Sequence, residues 1–450
     1  MPVLPISEQL RDFYRTTPMR EGVVCWYPFK HESTILDYSN GILTDFYERR
    51  GLHLKNKNEQ YVDYIVMLDP VDYTVDMLRR LKHKLLPKGR LLIAYENPFA
   101  LRFWAGAAAP GTGRPYDTLL DKDIPVLPSK SELAFRLDKA GFNKQKWYYF
   151  PSDHWFAREV YSDDLLPNEY LNQRFTHYLI SDGSLCFDER SVYREVIRGN
   201  AFTFMCGAFL VEACVNAKDK SCEVDYAAIT SYRAPSKRYA TVVKNDNTVH
   251  KIPLTAEGKQ NIHKIHDNHK DLTSLGLNVL KTRIENDVLI MPRINLPTLW
   301  DYWAHKLSRD ELDENILFRQ YDSIVQSIKK SSVKGKAYWE LVPANCFYDE
   351  TKDELLFFDQ EFYWKNASLD IAIARALFAL TAPPVFRGHP KSQMWLERLL
   401  KRYGLSDKWE ELYNICRRII HDEVFGNDDK PLHVETAKIL KQVRKRISTV

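Results

Sequence analysis

A chain of 450 residues is too long for one ordinary hydrophobic core, so two or three domains are expected. With 64 basic against 60 acidic side chains the net charge is only +4, which excludes the strongly basic footprint of a nucleic-acid binder, while 44% hydrophobic residues exclude a disordered chain. Seven scattered cysteines without a CxxC pair point to a reduced, cytoplasmic compartment and away from structural zinc, and no apolar run reaches the length of a signal peptide or a membrane span.

The first clear pattern begins at Tyr61. YVDYIVML (Tyr61–Leu68) is a short apolar run rich in β-branched residues, and VDYTVDMLRRLKHKLL (Val71–Leu86) places apolar residues at helical spacing. PKGR (Pro87–Arg90) reads as a turn and LLIAYEN (Leu91–Asn97) as a second buried strand. Strand, helix and strand in this order make a β-α-β unit, so parallel strands are expected, with any ligand at their carboxyl ends. Residues 166–198 carry no strong period and read as a connection, and AFTFMCGAFLVEA (Ala201–Ala213) is strand-like. CEVDYAAITS (Cys222–Ser231), RYATVVK (Arg238–Lys244) and TVHKIPL (Thr248–Leu254) follow, the last two joined by the hairpin turn NDN, so a small antiparallel sheet is expected. Thr255 is placed to cap a helix running to Leu277, NDVLIMPRI (Asn286–Ile294) is a further strand, and the chain beyond Lys365 reads as amphipathic helices. In the last of them, AKILKQVRKRI (Ala437–Ile447), Lys438, Lys441, Arg444, Lys445 and Arg446 flank an apolar stripe, a pattern suited to an anionic membrane surface.

Strands, a lysine-bearing strand and then a helix are the layout of a kinase N-lobe, in which Lys251 would pair with nucleotide phosphates. The preceding loop, SYRAPSKR (Ser231–Arg238), has no glycine to bring backbone amides onto phosphate; it offers the side chains of Ser231, Arg233, Ser236, Lys237 and Arg238 instead. Asp267 or Asp271 on the helix is the expected acidic partner of Lys251, and Met291 falls where a hinge beside the nucleotide would sit. In WELVPANCFYDETKDELLFFDQEF (Trp339–Phe362), Glu340, Pro343 and Asn345 match the catalytic-loop register D-x-x-P-x-N, and Asp359 closes an apolar strand. Asn345 and Asp359 are oxygen donors of the kind magnesium prefers, and Glu340 stands where an acid orients the acceptor hydroxyl, although it is one methylene longer than the usual Asp.

Several stretches also carry a resemblance: LPKGRLLIA followed by Glu96-Asn97, WYPF (Trp26–Phe29), AYENPFALRFWAGA (Ala94–Ala107), SKSELAFRLDKAGF (Ser129–Phe142) and WYYFPSDHWFAREVYSDDLLP (Trp147–Pro167). Together they resemble bacterial proteins of surface-polysaccharide biosynthesis in which a class I S-adenosylmethionine-dependent methyltransferase-like domain precedes a kinase-like half of the aminoglycoside phosphotransferase and protein kinase type. The resemblance implies an α/β Rossmann-like, degenerate methyltransferase domain over 1–165, a connecting segment over 166–222, and an α+β bilobal kinase-like domain with an N-lobe over 223–292 and a helical C-lobe over 293–450. It implies S-adenosylmethionine near Asp37, Ser39, Gly41 and Asp69. Yet STILDYSNGILTDF (Ser33–Phe46) supplies one glycine where a glycine-rich turn is expected, and only 19 residues separate Gly41 from Tyr61, so the cofactor loop reads as eroded. The expected activity is an ATP- and Mg2+-dependent phosphotransferase acting on a cell-surface glycan or its lipid-linked precursor, at the inner face of the membrane. A methyltransferase and a non-catalytic scaffold are the alternatives.

Overall fold

The structure, a computed structural model, describes residues 18–425 apart from 71, 108–115, 117–118, 120–126, 170–186, 188, 217, 334, 366–367, 382–384 and 388. The basic segment 437–447, expected to meet a membrane, lies outside the described residues. Among the described residues no helix is long and apolar enough to cross a membrane. The chain divides into two compact units, one running to Tyr232 and including Ala240–Asp246, the other formed by Arg233–Tyr239 and Asn247–Asp428.

The first unit is built on strands β1 (Thr34–Tyr38), β2 (His53–Leu54), β3 (Val62–Leu68), β4 (Leu85–Glu96), β5 (Lys144–Phe150), β6 (Glu159–Ser162), β7 (Ala208–Cys214), β8 (Val224–Ile229) and β9 (Tyr239–Lys244). β1 pairs in parallel with β2 and β3, and β3 in parallel with β4, as the β-α-β pattern predicts. Two expectations change. PKGR does not separate two elements: it lies inside β4, whose pairing jumps from Val62 opposite Leu85 to Tyr64 opposite Arg90, so the segment is a bulge. The strand expected over Ala201–Ala213 starts only at Ala208, because Asn97 Nδ2 donates to the carbonyls of Phe204 and Cys206 and holds the chain before it in a helical turn. Gly207 then passes so close to Ser152 that a Cβ would lie 1.9 Å from its carbonyl oxygen. β7, which falls in the stretch expected as a connection, runs antiparallel between β4 and β5 and pairs along its whole length with both.

The helices α1 (Thr44–Arg49), α2 (Val75–Lys82), α3 (Lys130–Ala140) and α4 (Glu189–Arg198) belong to this unit. Thr74 caps α2 by accepting from Met77 N–H, and Ser129 caps α3 by accepting from Glu132 N–H. Leu78 and Leu81 of α2 and Leu133 and Leu137 of α3 are buried against Ile65, Leu91, Ile93, Phe209 and Val211 of the sheet. Side chains of this kind are worth about 1.5–3 kcal/mol each when buried, which fixes both helices on the sheet.

In the second unit β10 (Thr248–Pro253) pairs antiparallel with β12 (Val288–Pro292), and β12 with β11 (Arg283–Glu285). The helix α5 (Ala256–Ser274), capped by Thr255 through Gly258 N–H as expected, buries Ile262 and Ile265 against Tyr239, Leu289 and Met291. The helices α6 (Leu299–Ser308), α7 (Glu314–Ser331), α8 (Leu369–Leu377), α9 (Pro390–Arg402) and α10 (Trp409–Ile419) follow. Two small antiparallel ladders lie among them: β13 (Lys336–Tyr338) with β16 (Tyr363–Lys365), and the hairpin of β14 (Cys346–Asp349) and β15 (Glu354–Phe357).

Candidate phosphoryl-transfer site

The two ladders bring distant residues together. The hairpin sets Cys346 opposite Phe357, and Phe358 N–H donates to the Asn345 carbonyl, so Asn345 stands opposite Phe358 at its open end and Asp359 follows directly. The other ladder sets Tyr338 opposite Tyr363, and Trp339 N–H donates to the Phe362 carbonyl, which carries Glu340 alongside Glu361. Glu340 and Asn345 from one stretch thus come alongside Asp359 and Glu361 from another, because two short pairings share the segment between Phe358 and Tyr363.

Lys251, on β10, completes the cluster. It is only 3% exposed, and its Nζ donates to the carboxylates of both Asp359 and Glu361. Burial pulls its pKa down, but the fields of Asp359 and Glu361 outweigh burial and hold the ammonium above its ordinary value. Asp359 itself is pushed up by burial and pulled down further by Lys251, with Arg233 adding to the fall, so it stays ionised. Its backbone is left-handed (φ 54°) and its side chain keeps 34% exposure, unlike the Glu361 side chain at 3%.

Glu340 is buried, which raises its pKa; Arg375, 3.7 Å away, opposes the rise, and the carboxylates of Glu361 and Asp359 add to it. A raised carboxyl is better matched to accepting a proton from a hydroxyl than an ordinary one. Asn345 Nδ2 donates to Glu340 Oε2 at 2.6 Å, which fixes the amide and turns its Oδ1 away from Glu340. The extra methylene of Glu340 is thus taken up in a bond to its neighbour.

The segment carrying Asp359 is pinned from α5. Gln360 is fully buried: its N–H donates to His269 Nε2, its carbonyl accepts from Asn268, and its side-chain amide donates to the carbonyls of Glu340 and Phe358. His269 Nδ1 reaches the Leu280 carbonyl at 2.9 Å, so the ring is neutral with the proton on Nδ1, and burial keeps its pKa below the ordinary imidazole range.

The remaining sequence-predicted residues fall at different places. Arg233 lies close enough for its charge to lower both Asp359 and Glu340. Arg238 is buried, with its Nε donating to the Arg233 carbonyl at 2.7 Å, so part of its fork shapes the loop. Met291 sits in the apolar layer under α5. The helix acids expected to pair with Lys251 do other things: Asp271 binds Lys336 and accepts from Tyr338 OH, and Asp267 is exposed. Glu361 takes that role.

Parts of the chain are similar to solved kinase structures. The PknI kinase domain of Mycobacterium tuberculosis aligns at 16% identity and a TM-score of 0.27, covering 38% of this chain and 82% of that one. WaaP in complex with acyl carrier protein aligns at 11% identity and 0.26, covering 45% and 85%, and the kinase PK-1 of Cydia pomonella granulovirus at 14% and 0.23, covering 38% and 76%. Alignments of this quality decide neither fold nor activity. No family model and no curated protein matches the chain.

In the first unit, Asp37, Ser39, Gly41 and Asp69 all lie at the carboxyl ends of the parallel strands β1 and β3. Their polar atoms are engaged internally. Asp37 accepts from Ser39 N–H at 3.0 Å, from Ser39 Oγ at 2.7 Å and from Tyr47 OH at 3.3 Å. Asp69 Oδ2 accepts from Trp155 Nε1 at 2.8 Å and lies 3.2 Å from His154 Nε2. Gly41, at φ 79°, supplies the left-handed turn after β1.

Proposed function

We propose that the second unit transfers a phosphoryl group from a nucleoside triphosphate to a hydroxyl of a glycan or lipid-linked glycan precursor. The carrying observation is that Lys251 binds Asp359 directly, Asn345 binds Glu340 directly, and the two pairs lie close enough for the charge of Asp359 to raise Glu340. Among the described residues no group of three or more His, Cys, Asp or Glu side chains is arranged as a metal site. Magnesium at a nucleotide site needs only one or two protein oxygens, sharing the ion with phosphates and water. Asp359, ionised and open on one side, and Oδ1 of Asn345, whose Nδ2 is spent on Glu340, would be the donors that hold it. When bound, the ion offsets negative charge on the phosphates.

The chain's own residues supply the rest. Lys251 has three donors and gives two to carboxylates, so one N–H remains to hold a phosphate oxygen in place. Glu340 takes the proton of the acceptor hydroxyl as its oxygen bonds to the γ-phosphorus and the bond to the β-phosphate oxygen breaks, releasing the diphosphate. The glycan acceptor and an inner-membrane location rest on the sequence resemblance. The test is Glu340→Gln, which keeps the shape and removes the base: transfer or hydrolysis should fall by roughly 100- to 10,000-fold while Mg-ATP binding is retained. Unchanged turnover in this variant would remove Glu340 from the chemistry.

A second reading concerns the first unit, which has parallel strands and candidate cofactor residues at their carboxyl ends, as a methyltransferase-like domain requires. The groups present do not fit S-adenosylmethionine, because Asp37 and Ser39 satisfy each other and one glycine shapes the turn. Titration with S-adenosylmethionine should leave the melting temperature unchanged; a rise that Asp37→Ala removes would reinstate a working methyltransferase.

A further inference from the structure

The loop Ser231–Arg238, between β8 and β9, stands where a glycine-rich phosphate loop would lie, and it contains no glycine. It does contain a buried ammonium. Lys237 is 6% exposed; its Nζ is 3.3 Å from Asn261 Oδ1 on α5 and 3.7 Å from the centre of the Phe362 ring. A lysine at a loop can ordinarily keep its head in water while its stem packs, so burying the head needs a reason.

One reason would be a brace between α5 and the segment after Asp359. The contacts reach further than that. Asn261 also bonds the hydroxyl of Tyr239, whose ring lies 4.7 Å from Lys251 Nζ, and Phe362 directly follows Glu361, the partner of Lys251. Lys237, Asn261, Tyr239, Lys251, Glu361 and Phe362 form a closed circuit that contains two ammonium groups.

We infer that Lys237 is a second phosphate-binding cation of this site, reaching the polyphosphate of a nucleotide from the loop as Lys251 does from the strand. It replaces with a side-chain charge what a glycine-rich loop supplies through backbone amides. The inference rests on the nucleotide reading above. Burial pulls Lys237 down to about 8; Glu361 and Glu340 hold it up, and Lys251 and Lys264 push it down. An anion seated between Lys237 and Lys251 removes their mutual repulsion and keeps both charged.

The test is calorimetric titration of the full chain with Mg-ADP and, separately, with adenosine. Wild-type affinity for Mg-ADP should fall about tenfold between about pH 7 and pH 9, as a cation titrating near 8 discharges. Lys237→Arg, charged throughout, should bind with a flat profile. Lys237→Met should lose roughly 10- to 100-fold in Mg-ADP affinity at neutral pH, also with a flat profile, and leave adenosine binding unchanged. Lys237→Met with wild-type affinity and pH profile overturns the inference. So does an equal loss of Mg-ADP and adenosine binding, which marks a brace. A wild type that binds no Mg-ADP overturns the nucleotide reading itself, a result distinguishable from both.

Discussion

Mg-ATP at a hundredfold excess over its dissociation constant should raise the melting temperature of the second unit by roughly 5–10 °C, and Asp359→Ala should abolish the rise. A ligand at that saturation stabilises the folded state by about 2.7 kcal/mol, and a unit of this size gains about 2–4 °C per kcal/mol. Asp359 is the decisive residue because it alone in the cluster combines an ionised carboxylate with an open side: the Glu361 side chain is buried, and Glu340 is held by Asn345 and Arg375. The left-handed backbone at Asp359 and the pinning of Gln360 fix where that carboxylate points, so no neighbour can replace it by a change of rotamer. Lys251 keeps Glu361 as a partner in the variant, so the unliganded protein should lose much less than the ligand increment. Thermal denaturation with and without Mg-ATP gives both numbers. A rise that persists in Asp359→Ala would remove the residue from the site, and no rise in the wild type would favour the scaffold alternative.

Much of this cluster is legible in the amino-acid sequence, for a physical reason. An acid, an amide and an acid placed around a hairpin come close once the hairpin forms, and two short apolar runs, CFY and LLFF, around the polar stretch DETKDE suit a hairpin. The partner of Lys251 is not legible there. Helical spacing favours Asp267 or Asp271, whereas the acid comes from the second ladder, and nothing local in KAY or YWK says that β13 pairs with β16. The buried polar residues that pin the site, His269 and Gln360, escape sequence reasoning for a related cause: their residue types read as solvent-facing, and only the tertiary packing of α5 takes them from water. In the first unit the parallel strands are legible from periodicity. The insertion of β7 between β4 and β5 is not, because an antiparallel strand that arrives from a distant part of the chain leaves no mark on the period of its neighbours.

Removing the cation at the centre of the cluster should cost more than removing any carboxylate. Lys251→Met keeps the length of the stem and deletes the charge that Asp359 and Glu361 share. Glu361 then holds a buried carboxylate without its cation, and its Oε2 already has no hydrogen-bond partner. Breaking a buried pair in this way costs about 3–5 kcal/mol, so the second unit should melt roughly 6–20 °C lower. The loss should come from the stranded charge rather than from lost packing, because methionine fills a similar volume. Lys251→Met combined with Glu361→Gln should therefore recover most of the stability, since neutral groups of similar shape replace Lys251 and its buried partner while Asp359 keeps water on one side. Chemical denaturation of the two single variants and the double variant measures the coupling directly. A single variant within about 1 kcal/mol of wild type, or a double variant no better than Lys251→Met alone, would mean that Lys251 is not the charge that holds Asp359 and Glu361 together, and the proposed site would lose the residue on which its geometry depends.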